Sequence, residues 1–333
     1  MFEFYKKFFK GRKAFPWCTA FVFCACLYNG NKDDPGSEIH GTWIVQASGT
    51  TNVLNSVQFT DTNTGYAVGD HGLILKTSNG GTHWSAQDYG ANYVFTSLAF
   101  VNPDTGFIAG WGPFGGFILK TLDGGELWNL FFACDFNACY SDDYYGIRFL
   151  DANTGYIVGE NGAILKTTDG GKFWTDQSLA SMYYRLNSVD FVNADTGFVA
   201  GANGRILKTV NGGTVWDTLT SGTIKPLNAI HFVDAHTGYV AGNGGTLRKT
   251  MDGGATWKAQ TCGKAWSLHS ISFTDRNTGF AAGDSAIYAT ADGGDSWILQ
   301  AGVSQNLLSL HFLNSHTGWA VGSGGAILKY TGE

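Results

Sequence analysis

From Leu54 to Trp84 the chain alternates short apolar runs with polar turns. Val57-Gln58-Phe59 predicts a strand, Asp61-Thr62-Asn63-Thr64-Gly65 a turn, and Tyr66-Ala67-Val68-Gly69 a second strand. Asp70-His71-Gly72 leads into Leu73-Ile74-Leu75-Lys76-Thr77, and Asn79-Gly80-Gly81 leads to a fourth strand at Trp84. Short runs bounded by Gly, Asn and Asp favour strands over helices. The unit then recurs. Its first strand carries Phe59, Phe100, Phe149, Phe191, Phe232, Phe273 and Phe312, and its turn carries Gly65, Gly106, Gly155, Gly197, Gly238, Gly279 and Gly318. Four strands per unit, with Phe59 and Phe100 about 41 residues apart, is propeller-blade spacing. The expectation is an all-β chain: a seven-bladed β-propeller of four-stranded antiparallel blades.

The turn before each fourth strand is the most regular feature. Thr167-Thr168-Asp169-Gly170-Gly171-Lys172-Phe173-Trp174 has counterparts ending at Trp84, Trp128, Trp216, Trp257 and Trp297. Paired glycines supply positive φ for a tight hairpin, and the Thr and Asp can satisfy turn N–H groups. Asp123, Asp169, Asp252 and Asp292 therefore read as turn residues and not as metal ligands, because Asn79 and Asn211 replace Asp in two copies. The seventh unit stops at Tyr330 without its Trp strand, while Gly41-Thr42-Trp43-Ile44-Val45-Gln46 matches Asp295-Ser296-Trp297-Ile298-Leu299-Gln300. The N-terminal strand around Trp43 should complete the last blade, since an open ring would expose an unpaired edge.

With the strands of a unit named A to D, antiparallel order puts A–B and C–D turns on one face of the ring. B–C and D–A loops lie on the other, and the irregular material falls there. The B–C loop of the second unit is lengthened, Trp111-Gly112-Pro113-Phe114-Gly115-Gly116, and the next D–A passage spans 21 residues from Trp128 to Phe149, against 15 to 17 elsewhere. Loops on a rigid scaffold usually carry binding, and aromatics with Arg are typical of interface hot spots. Trp111, Phe114, Tyr144, Tyr145, Tyr183, Tyr184 and Arg185 are the candidate partner-binding set, the alternative being that they fold over one another. His231 and His311, one residue before their landmark Phe, suit interior hydrogen bonding better than metal binding, and Arg148 and Asp190 are placed to pair. Asp135, Asp142 and Asp143 match no calcium-loop spacing. No constellation recommends a catalytic residue, metal or cofactor. Cys134 and Cys139 can close a local disulfide in an oxidising compartment, leaving the pairing of Cys262 open.

Composition changes the picture at the N-terminus. Lys6, Lys7, Lys10, Arg12 and Lys13 precede an apolar run from Ala14 to Ala25, too short for a bilayer-spanning helix of roughly 20 residues. This predicts a signal peptide over residues 1–26. Phe23-Cys24-Ala25-Cys26 resembles a lipobox, with Cys26 the residue to be acylated. Residues 27–36 form a tether and 37–333 the propeller. Of 21 basic and 27 acidic residues, the first 26 hold five and one, so the remainder carries 16 against 26, a net charge of −10. That excludes a nucleic-acid partner. The expected location is extracytoplasmic, as a membrane-anchored lipoprotein at the periplasmic or cell surface, or secreted.

The Asp-box hairpins, preceded by G-x-x-G-x-I-L-K-T, resemble those of the photosystem II assembly and stability factor-like propellers over residues 37–333. The resemblance implies a non-catalytic scaffold that binds a protein partner during assembly of a larger complex. It also implies an arginine patch, for which Arg148, Arg185 and Arg205 are the candidates. Asp-boxes occur as well in sialidases and some glycoside hydrolases, which leaves a glycan-binding or glycan-cleaving protein as the alternative.

Overall fold

The computed structural model describes residues 39–131, 142–179, 183–264 and 266–332. The chain divides into two units, Met1–Asn31 and Lys32–Glu333; the first lies outside the described residues and the second is the propeller. Cys26, Cys134 and Cys139 also lie outside them.

The strands form six hydrogen-bonded sheets, five of four strands and one of six. This corrects the expectation of seven separate four-stranded blades. Counted as sheets the propeller has six blades, and the last carries the sixth and seventh repeats together. Two strands run on in this sheet where the other repeats break them. After Trp297 the strand Ile298–Asn314 runs unbroken, pairing first with Gly279–Thr290 and then with Thr317–Gly322. The sixth repeat's B–C connection, Asp284-Ser285, is one residue shorter than Asp70-His71-Gly72, and its two strands become the single element Gly279–Thr290. The closing strand is where its sequence places it. Gly41–Gln46 pairs antiparallel with Ile327–Gly332, with Trp43 opposite Tyr330 and Val45 opposite Leu328.

The A strands surround the axis, each beside the next, and the seventh returns to the first. Each has an edge whose N–H groups lack a ladder partner, and an unpaired buried N–H is costly. Serines on the preceding A strand satisfy them. Ser97 Oγ accepts from Ile147 N–H (3.3 Å), Ser270 Oγ from Leu310 N–H (3.0 Å), and Ser309 Oγ from Val57 N–H (3.3 Å), the last joining the end of the chain to its beginning. Asn side chains add a second row: Asn55, Asn187 and Asn228 donate to the carbonyls of Phe95, Leu227 and Leu268.

The landmark Phe column packs one repeat against the next. Tyr66 stacks on Phe100, Tyr156 on Phe191, and Trp319 on Phe59, while the box Trp of the same repeat meets the Phe edge-on, as Trp128 does Phe100 (5.9 Å, 86°). Such aromatic pairs contribute roughly 0.5–1.5 kcal/mol each beyond area burial. The strand C lysine lies over the same ring and donates to the next Asp-box: Lys166 Nζ sits 5.5 Å from the Tyr156 ring and donates to the Gly212 carbonyl at 2.8 Å. Inside the box, Thr121 Oγ1 accepts from Gly125 N–H, and Asp123 Oδ1 accepts from the N–H groups of Glu126 and Leu127. These donors hold the Asp123 carboxyl below its ordinary range. The acid is thereby occupied as a turn residue, and Asn211 makes the matching bond to Val215 N–H.

The two faces separate as antiparallel order requires. Box turns bond to A–B turns, as in Gly124 N–H to the Asp104 carbonyl and Gly170 N–H to the Asn153 carbonyl. B–C turns bond to D–A passages, as in Gly162 N–H to the Tyr184 carbonyl.

Candidate partner-binding site

The irregular face is built on short 3-10 turns between strands B and C. Glu160–Gly162 and Ala202–Gly204 each hold a central Asn with positive φ (52° and 57°), a conformation Asn tolerates better than most residues. They clamp the D–A passage between them, since Gly162 N–H donates to the Tyr184 carbonyl and Ala202 N–H to the Arg185 carbonyl. Tyr184 and Arg185 are thus fixed by their backbones while their side chains stay exposed.

Those side chains form an alternating series. Arg185 lies over the Tyr145 ring at 4.1 Å from its centroid, and Arg205 over the Tyr184 ring at 4.7 Å. Arg185 Nε also donates to Asn187 Oδ1, and Tyr183 beside them is 80% exposed. Stacking each guanidinium on a ring orients it while its other edge remains free to bind. Acids that the sequence did not include in the partner-binding set lie beside it. Asp143 is raised above its ordinary range by burial and then by Glu160 and Asp142, with Arg185 opposing, and Tyr145 is raised by burial with Glu160 at its hydroxyl. Their only sequence signal was membership of the lengthened passage and of a B–C turn.

The remaining predicted residues divide. The lengthened B–C connection of the second repeat is a hairpin extension, with Trp111 paired to Gly116 and Gly112 to Gly115. It leaves Phe114 exposed at the tip and Trp111 half-buried. Tyr144 needs correction as a surface contact. It starts strand Tyr144–Phe149, is 1% exposed, and packs in the core between the second and third repeats. Strand alternation turns it inward while its neighbour Tyr145 faces the loops.

Arg148 is likewise corrected as a member of the loop-face patch. It lies near the other end of the same strand, on the residue row that lines the axis, with Nε 3.4 Å from Asp190 Oδ1. Asp190 Oδ2 accepts from Phe232 N–H at 2.8 Å and lies 3.8 Å from His231 Nδ1. His311 Nδ1 accepts from Phe59 N–H. Gln58, the same position in the first repeat, accepts from Phe100 N–H through Oε1. His311 thus makes the interior hydrogen bond expected of it, while His231 faces Asp190 at ion-pair distance, and no group of three or more His, Cys, Asp or Glu among the described residues is arranged to hold a metal. Burial, with Arg148 adding, pushes His311 down to about 4, and burial also lowers His231.

A pH prediction follows from this row. Both histidines are harder to protonate in the fold than in the unfolded chain, so the unfolded state binds more protons below pH 6.5. Stability should therefore fall as pH drops from about 6.5 to about 4, by roughly 2–3 kcal/mol from His311. His311→Gln keeps an acceptor for Phe59 N–H, as Gln58 does in its own repeat, and should flatten that decline in urea melts. A variant as steep as wild type would show that His311 is not its source.

The fold and this loop face define a propeller of Asp-box hairpins with an aromatic and arginine-bearing loop face. The family model described as photosynthesis system II assembly factor YCF48 matches residues 37–132, 137–226, 214–298 and 262–331, and the chain belongs to that family. Among solved structures, YCF48 from Cyanidioschyzon merolae is 23% identical, with a TM-score of 0.73 over 87% of this chain and 98% of its own. YCF48 bound to D1 peptide is 21% identical, with a TM-score of 0.73 over 93% and 97%. The GH74 enzyme of Niastella koreensis is similar at 16% identity and a TM-score of 0.67, covering 87% of this chain and 53% of that one. At these identities the structures establish the fold alone. No curated protein matches the chain.

Proposed function

We propose that this chain is an exported, membrane-anchored scaffold that binds a protein partner through the B–C and D–A loops of repeats 2 to 4, in the manner of an assembly factor. The observation that carries the reading is the Tyr145–Arg185 and Tyr184–Arg205 series, in which Tyr184 and Arg185 are held by backbone bonds and exposed while Tyr145 and Arg205 are half-buried. Family membership supports it, and one relative has been seen with a D1 peptide. Tyr and Arg are the residue types that dominate binding energy at protein interfaces, often at 2 kcal/mol or more each. Acylation of Cys26, a Cys134–Cys139 disulfide and an extracytoplasmic location belong to the same proposal. They suit a leader that is basic and then apolar and a mature body that is acidic. The glycan alternative has less support, because the acids beside the aromatics are engaged: Asp142 accepts from Asn161 Nδ2 and Glu160 meets the Tyr145 hydroxyl.

The test is a crosslinking pull-down from intact cells with wild type and a Tyr145→Ala/Tyr184→Ala/Arg185→Ala variant. Recovery of the main partner should fall at least tenfold, with the melting temperature within a few degrees of wild type. Equal recovery would remove this face from consideration.

A further inference from the structure

The opposite face carries a feature that partner binding does not use. Every Asp-box turn shares the Thr Oγ1 bond to its second glycine N–H, while the residue after its Thr and the residue before its Trp vary, the latter's side chain bonding the box Asp only as Thr256 and Ser296. In repeats 2 to 5 six of these eight positions are apolar and exposed, the others being Thr168 and Thr256. Leu122 and Leu127 belong to the second repeat, Phe173 to the third, Val210 and Val215 to the fourth, and Met251 to the fifth. All are more than half exposed, from 53% at Val215 to 79% at Phe173. Repeats 1 and 6 have Ser78 and His83, and Ala291 and Ser296, at the same places. Neighbouring boxes lie one lysine side chain apart: Lys120, Lys166 and Lys208 reach the box glycine carbonyls of the next repeat at 2.7, 2.8 and 2.7 Å. The six side chains therefore fall on an arc of four successive boxes of one face, and grouped exposed apolar residues mark an interaction site where single ones do not.

The path of the chain identifies the occupant. Gly41 stands opposite Gly332, whose N–H donates to the His316 carbonyl in the last A–B turn, so the closing strand begins on the Asp-box face. By the match of Trp43 to Trp297, the chain comes in where the seventh box would stand, across the ring from the arc. Upstream of that point lie the basic cluster Lys6 to Lys13 and the apolar run Ala14 to Ala25. In the membrane-anchored reading the lipid is carried by Cys26, upstream of a strand that begins on this face. The A–B turns of the same face carry the carboxylates of Asp61, Asp151 and Asp275, held below their ordinary range by turn N–H groups. The surface is thus suited to apolar insertion among neutral headgroups and not to attraction by anionic lipid.

We propose that the Asp-box face is a membrane-resting surface, with Leu122, Leu127, Phe173, Val210, Val215 and Met251 dipping into a neutral lipid interface and the loop face turned away from it. The proposal rests on the membrane-anchored reading for the direction from which the chain arrives. It goes beyond that reading by assigning an orientation. The test uses the full chain in phosphatidylcholine vesicles doped with a diazirine-bearing phosphatidylcholine, with labelled residues mapped by mass spectrometry after irradiation. Peptides containing Leu127, Phe173 and Val215 should be labelled at least fivefold above those containing Phe114 and Tyr183. Leu127→Glu/Phe173→Glu/Val215→Glu should abolish that excess without changing the melting temperature, since all three are exposed. Labelling confined to residues before Ile39 keeps the anchor and overturns the resting face. Labelling of the arc without the N-terminal segment keeps the face and overturns the anchor. Even labelling of both faces, or an arc left unlabelled because a protein covers it, also overturns the proposal.

Discussion

Deleting residues 37–49 is expected to yield a protein that aggregates or is cut readily by protease, with no cooperative melting transition near that of the intact chain. The segment supplies the outermost strand of the six-stranded sheet, and without it Ile327–Gly332 becomes an open edge. Trp43 fills the space between Tyr330, Phe312 and Phe280, at ring distances of 5.2, 5.9 and 6.5 Å. Gly41 lies against the Tyr330 ring so closely that a Cβ would overlap it. Gln46 Nε2 donates to the Gly80 carbonyl, so the same strand also braces the first repeat's Asp-box. Truncating a packed Trp alone costs about 3–5 kcal/mol, a large part of a typical total of 5–15 kcal/mol. The full deletion removes a strand's hydrogen bonds as well. Trp43→Ala should accordingly melt at an intermediate temperature, still cooperatively. A deletion variant that melts like wild type would mean that closure does not hold the ring.

The repeat was legible because its residues act locally or between identical neighbours. The Phe column, the box glycines and the closing Trp43 each recur with a fixed spacing, and the structure uses each of them the same way every time. What was not legible depends on a break that fails to occur. The sixth and seventh repeats have the right landmarks, yet Ile298–Asn314 continues from one repeat into the next, so two units share one sheet; no residue in that passage sets it apart from the passages that do break. Side-chain direction was the second gap. Tyr144 and Tyr145 are equivalent in composition, and only the register of Tyr144–Phe149, which pairs Tyr144 with Gly159 and carries an irregularity before Gly146, decides which of them is buried. The ring stacked on each landmark Phe follows the turn glycine, at Tyr66, Phe107, Tyr156, Phe198, Tyr239, Phe280 and Trp319. The column is visible in sequence, but its partner lies one repeat away and is not.

Two glycines of the merged sheet should respond oppositely to the same substitution. Gly283 ends strand B of the sixth repeat, where it crosses the start of strand A. A Cβ there would lie 1.9 Å from the Ser267 carbonyl oxygen and 2.8 Å from Leu268 Cα, both backbone atoms. The carbonyl cannot swing away cheaply, because it accepts the Asp284 N–H at 2.9 Å. The same clash recurs at Gly69 against Val53, Gly201 against Arg185 and Gly322 against Asn306, so the position demands glycine by backbone proximity and not by φ. Overpacking of this kind costs about 1–3 kcal/mol and more where backbone must shift, and Gly283→Ala should lower the melting temperature by about 5 °C or more. Gly302, paired with Ala286 across the sheet, has no atom within 4 Å of its would-be Cβ. Gly302→Ala should leave stability unchanged or raise it by about 0.4–1 kcal/mol, since alanine narrows the unfolded ensemble. Differential scanning calorimetry of the two variants beside wild type decides the matter. Equal and small shifts for both would mean that strand B can move off strand A, and that the tight crossing repeated around the ring is not what fixes the spacing of its strands.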